Sequence, residues 1–141
     1  MAQLDSIIRF QKWELDNKRR DLAAVEQERD LIIDQLNALI AELEQESHNY
    51  NQEINDFSVL QMGAFADGIR YKRETLEIEL NLKNEEVETH KEIVTEAFQV
   101  LKTYEVAQEN RSKAEQKELA RQETMILDEQ GLQSFVRKQD S

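Results

Sequence analysis

A chain of 141 residues has the length of one globular domain, yet its composition excludes most ways of building one. Charged residues make up 34%, aromatic residues only 6%, and cysteine and proline are absent, so neither a thick apolar core nor a disulfide framework is available. The net charge of −12 argues against a nucleic-acid partner, because an acidic surface repels phosphate backbones.

The charge is unevenly spread. Residues 1–29 and residues 111–141 each hold six basic and six acidic side chains, so the segment 30–110 carries the whole excess. No Lys or Arg occurs between Asp30 and Ile69. No run approaches ~18 consecutive apolar residues, and MAQLDSIIRF lacks a basic stretch followed by an apolar one. A soluble, cytoplasmic protein is therefore expected, and the missing cysteine fits a reducing compartment.

From the N-terminus, apolar residues follow a heptad with seam positions 8, 11, 15, 18, 22, 25 and onward to 60. Eleven of those sixteen positions are apolar, from Ile8, Leu15 and Leu22 to Tyr50, Phe57 and Leu60. This predicts a first helix over about 3–61. The stretch VLQMGAFADGIR follows, with two of the three glycines in the chain, Gly63 and Gly68. Glycine adopts the positive φ that a reversal needs, and Asp67 suits a turn, so a turn is predicted at about 62–68.

A second seam restarts at Ile69 and runs through Leu76, Leu80, Val87, Val94, Ala97, Leu101 and Tyr104. It thins beyond that point, where Gln108, Arg111, Glu115 and Glu118 take seam positions and Val100, Ala107 and Ala114 continue on a shifted stripe. A second helix is predicted over about 69–131, ended by Gly131, with a short tail at 132–141. Two arms with one apolar stripe each bury them best on one another. The expected fold is all-α: a single domain over 1–141, folded as a long antiparallel two-helix coiled-coil hairpin of roughly 90 Å.

A fold at 65–66 pairs residues whose numbers add to about 131. That pairing brings Ile7, Ile8, Phe10 and Trp13 near Leu119, Met125 and Ile126 and makes the acidic segment turn-proximal. An unbroken helix that dimerises in parallel is the rival, since two internal glycines cost only about 2 kcal/mol.

The inventory for chemistry is poor. There is no thiol, His48 and His90 do not converge in the hairpin, and neither histidine belongs to a metal-ligand spacing. GAFADG lacks the strand and Lys of a phosphate-binding loop, and carboxylates on a two-helix rod face water. A non-enzyme without metal or cofactor is expected, working through surfaces. At the open end the candidates are Ile8, Phe10, Trp13, Arg19, Arg20 and Leu119; around the bend they are Tyr50, Phe57, Phe65 and Tyr71.

The stretches LDSIIRFQKWELDNKRRDLAAVE (4–26), EAFQVLKTYEVAQENR (96–111) and ETMILDEQGLQSF (123–135) resemble the flagellar export family FliJ, especially its alphaproteobacterial branch. The likeness extends to the whole chain in architecture and to about a third of it in motif. It implies an antiparallel two-helix coil similar to the central stalk of rotary ATPases, monomeric in isolation, at the cytoplasmic face of the inner membrane through its partners.

It further implies binding of the hexameric export ATPase (FliI-like) by Ile8, Phe10, Trp13, Arg19, Arg20 and Leu119. Tyr50, Phe57, Phe65 and Tyr71 would meet the export gate protein (FlhA-like). The strongly acidic middle is not something the family pattern requires. A related stalk of virulence type III secretion, a structural spacer or peripheral-stalk subunit, and a coiled-coil chaperone for export substrates are the alternatives.

Overall fold

The computed structural model describes residues 2–52 and 56–140. Two helices make up that chain: α1, Ala2–Gln52, and α2, Asp56–Asp140. Leu, Glu, Gln, Lys, Arg and Ala, which dominate both, lose little freedom in a helix. Exposed pairs one turn apart add a few tenths of a kcal/mol each. Arg73 reaches Glu77 at 2.9 Å and Lys113 reaches Glu109 at 3.1 Å. The hydroxyls of Thr75, Thr89, Thr95, Thr103 and Thr124 donate to the carbonyl four residues back, which keeps residues of modest helix propensity satisfied mid-helix.

The chain divides into two compact units. The larger, Glu14–Ala97, holds the C-terminal part of α1 and the N-terminal part of α2, antiparallel to one another. Its buried core is Leu15, Leu39, Ile69 and Val87, with Val87 only 1% exposed. Half-buried Leu22, Val25, Ile32, Leu36, Leu43, Leu76, Leu80 and Val94 complete the stripe. One ion pair crosses the seam: Lys83 Nζ donates to Glu28 Oε2 at 2.5 Å and also to Glu86 at 3.1 Å. These hydrogen bonds, the one to Glu28 foremost, raise the pKa of Lys83 above its ordinary value.

The second unit comprises residues 1–13 and 98–141. Here Ile8 and Leu101 are buried, Leu4 and Tyr104 are half-buried, and the Gln108 amide donates to the Asp5 carboxylate.

These contacts define a register that differs from the expected one. Glu28 with Lys83 and Asp5 with Gln108 give paired numbers adding to 111 and 113, not 131. The expected turn at 62–68 is accordingly not where the chain reverses. Gly63 and Gly68 lie inside α2, and among the described residues no glycine has a positive φ. Residues 56–61, expected in the first helix, begin the second, and residues 53–55 lie outside the described residues. Gly131 does not end α2 either, and residues 132–140 of the expected tail are helical.

The physical reason is the match of apolar density along the two seams. A register near 112 sets Ile8 opposite Tyr104, Leu15 opposite Ala97, Val25 opposite Val87, Ile32 opposite Leu80, Leu36 opposite Leu76 and Leu43 opposite Ile69. A register of 131 sets Ile8 opposite Glu123, Leu15 opposite Gln116, Leu22 opposite Glu109 and Leu39 opposite Glu92. Each fully buried aliphatic side chain contributes about 1.5–3 kcal/mol. Losing several outweighs the roughly 2 kcal/mol of two glycines held in a helix. A Cβ added at Gly63 or Gly68 would meet nothing within 4 Å, so neither glycine is there for close packing.

Three outcomes follow from this packing. Spin labels at residues 10 and 103 should lie about 10 Å apart, the usual interhelical spacing, while labels at 10 and 122 should be separated by about 30 Å along α2. A short 10-to-122 distance would restore the fold at 65–66. Leu39→Ala should lower unfolding stability by about 2–4 kcal/mol in urea titrations, whereas Leu127→Ala, at an exposed position, should change it by less than about 0.5 kcal/mol.

Because the folded-state pKa of Lys83 is raised, its stabilising contribution is complete below the ordinary value of 10.5 and disappears as pH climbs through the folded value. The stability gap between the native chain and Lys83→Met should therefore be constant up to about pH 10 and close above it.

Candidate partner-binding surfaces

Among the described residues no polar or charged residue is buried, and no group of three or more His, Asp or Glu side chains is placed to hold a metal ion. The shifted protonation equilibria of Lys83, Glu118 and Arg121 have surface hydrogen bonds to opposite charges as their leading cause. His48 is exposed and within 3.3 Å of the Gln52 amide, while His90 sits half-buried on the seam. Among the described residues no helix is long and apolar enough to cross a membrane. What the chain offers is exposed apolar surface, in two places.

The first is in the unit formed by residues 1–13 and 98–141. The Phe10 and Trp13 rings lie 6.0 Å apart at 31°, each more than half exposed. They stand on the outer side of α1 because Ile8, two residues before Phe10 and five before Trp13 and so about 140–160° around the helix from each, is drawn into the seam with 7% exposure. Ile8, expected both on the seam and among the open-end candidates, is buried on the seam and holds α1 against α2.

In the same unit, α1 begins at Ala2, which the register puts opposite about residue 111 of α2. Beyond Ser112 there is no α1 to pair with. Every residue from Lys113 to Gln139 is exposed, a lone helical stretch of about 40 Å.

This overhang is not polar. Leu119, Met125, Ile126, Leu127, Leu132, Phe135 and Val136 are all exposed on it. At 100° per residue, Leu119 and Ile126 share one line and Met125 and Leu132 another, while Leu119 and Phe135 lie about 160° apart. Apolar groups thus surround the helix. Arg121 stiffens one side, donating to both carboxylate oxygens of Glu118 at 2.8 and 3.1 Å and approaching Met125 Sδ at 3.4 Å. The Arg121 guanidinium lowers the Glu118 pKa, and Glu118 raises that of Arg121.

Of the expected open-end residues, Phe10 and Trp13 come together, whereas Leu119 lies on the overhang, well past the partner of Ile8. Leu132, Phe135 and Val136 were missed as candidates because Gly131 reads as a helix stop, and Leu127 because it falls off the expected seam. The seven-residue spacing of Met125 and Leu132 across that glycine was the available signal.

The second place is in the Glu14–Ala97 unit. Tyr50 and Phe65, both half-buried, line an open groove with Glu46, Asn49, Ser58, Gln61, Met62 and Ala64. Phe57, 68% exposed, precedes Gln61 by one turn. Tyr71, exposed, borders a different groove with Ala38, Leu39, Thr75 and Leu76. Three of the four expected bend residues therefore divide between two grooves while Phe57 lines neither, and Leu39 and Leu76, which support the second, were read only as seam. Arg19 pairs with Asp16 at 3.9 Å and Arg20 is exposed.

Neither curated proteins nor solved structures return a match for this chain. A family model does: that of the flagellar FliJ protein matches residues 1–140, nearly the entire sequence. With two long helices packed on each other and a match of that extent, the chain belongs to the FliJ family, components of flagellar type III protein export.

Proposed function

We propose that the protein is the stalk that couples the hexameric export ATPase (FliI-like) to the export gate (FlhA-like), working by position and contact with no bond chemistry. The observation that carries this reading is the overhang of α2. A single helix with apolar side chains around its circumference is satisfied by a partner that encloses it, and the lumen of a protein ring is such a partner. Phe10 and Trp13 form a second contact for the same partner, as aromatic side chains often do at binding hot spots. Ile8 supports them from the seam.

The gate contact is assigned to Tyr50, Phe57, Phe65 and Tyr71, on exposed or half-buried apolar surface that the hairpin itself leaves uncovered. Location at the cytoplasmic face of the inner membrane follows from those partners.

The test is hydrolysis by the purified export ATPase with and without this protein. Leu127→Glu with Leu132→Glu alters a stretch that has no intramolecular partner, so helicity should be retained while stimulation of hydrolysis falls about tenfold or more. Phe10→Ala with Trp13→Ala should act in the same direction. Unchanged stimulation by both variants would remove the overhang and the aromatic pair from the role. Concentration-dependent dimers of the native chain, abolished by the Glu substitutions, would assign the overhang to self-pairing instead.

A further inference from the structure

The groove formed by Tyr50, Met62 and Phe65 combines two properties that together select a partner. It is apolar at its base, and Phe57 and Leu60, 68% and 74% exposed, stand one turn before Gln61 and Ala64 on the same side of α2. Its surround is predominantly acidic, with Arg70 pairing to Asp67 at 3.9 Å at its far end. Between Leu31 and Ile69 the sequence holds seven Asp and Glu residues and no Lys or Arg.

Glu46 lines the groove and Glu42 lies one turn before it on α1; both are exposed. Neither forms an ion pair among the described residues, whereas Glu28, Glu77, Glu86, Glu88, Glu109 and Glu118 all do.

We propose that this groove is the docking site for a cationic amphipathic helix, one with a stripe of large apolar side chains flanked by Lys and Arg. The apolar stripe would cover Tyr50, Met62 and Phe65, with Met62 adapting its shape to the occupant. The flanking cations would meet Glu46 and Glu42, which draw a basic segment in and repel acidic competitors. An apolar helix alone would fill the groove without using its rim, and a basic segment without an apolar stripe would leave the base of the groove exposed. The proposal rests on the gate-side contact of the proposed function and specifies the chemistry of the segment that makes it.

The probe is a fluorescent Leu/Lys peptide with an amphipathic helical pattern, titrated with the full-length protein and followed by anisotropy at low and at physiological salt. Its Leu/Glu counterpart serves as the comparison. The Leu/Lys peptide should bind, more weakly as salt rises, and the Leu/Glu peptide should not. Glu42→Lys with Glu46→Lys, both on the surface, should weaken binding about tenfold or more with the circular dichroism unchanged. Met62→Asp should do likewise.

Equal binding of the two peptides would overturn the proposal. So would an equal loss from Glu88→Lys with Glu92→Lys, exposed carboxylates that do not line this groove, because binding would then follow net charge alone. Neither ATPase nor gate is present in this assay, so its failure leaves the ATPase contact standing. Lost ATPase stimulation with peptide binding intact would count against the stalk reading alone.

Discussion

Everything in this molecule depends on the closure of one narrow apolar seam between two helices that have no other core. A two-helix coil offers each seam residue a single opposing helix, so alignment along the seam matters more than in a layered domain, where a side chain touches neighbours from several elements. Aligning Leu15, Val25, Ile32, Leu36 and Leu43 with Ala97, Val87, Leu80, Leu76 and Ile69 concentrates apolar against apolar over the Glu14–Ala97 unit. The Lys83–Glu28 pair then reports the register more than it stabilises it, since exposed ion pairs contribute little.

That alignment has a consequence at each extremity. Because α1 is 51 residues long and α2 is 85, matching their dense parts uses up α1 while α2 still continues. The leftover is the exposed helix from Lys113 to Gln139, apolar on several sides and held by its own Glu118–Arg121 pair. A segment so exposed in the isolated chain is a poor candidate for a mere end and a good one for a contact. Toward the reversal, the same alignment draws Met62, Phe65 and Ala66 against α1 and leaves Phe57 and Leu60 outside.

The two surfaces differ in electrostatic character, which bears on what each can bind. The segment 113–139 carries equal numbers of basic and acidic side chains, five of each, so its recognition must rest on shape and apolar burial. The groove end is predominantly acidic, so recognition there depends on charge as well and weakens with salt. Two chemically distinct surfaces on one chain favour different occupants, since each rejects what suits the other.

The helical period of the sequence by itself determined that the protein is all-α, that the paired parts of the two helices each carry one apolar stripe, and most of the residues that occupy it. Ile8, Leu15, Leu39, Ile69, Val87 and Leu101, all buried, were each legible as seam. The outward placement of Phe10, Trp13 and Tyr71 was legible too, whereas Phe57 and Leu60, read as seam, are exposed because the observed pairing leaves them uncovered. Only the tertiary structure decided the register, and with it the place of the reversal, the helical state of Gly63, Gly68 and Gly131, and the existence of the overhang. The reason is that a heptad pattern is nearly unchanged by sliding one helix past the other by whole heptads, and the expected and observed pairings differ by about 19 in summed number, close to three heptads. Periodicity names the face that is buried; the total of apolar contacts along the face selects which residues meet.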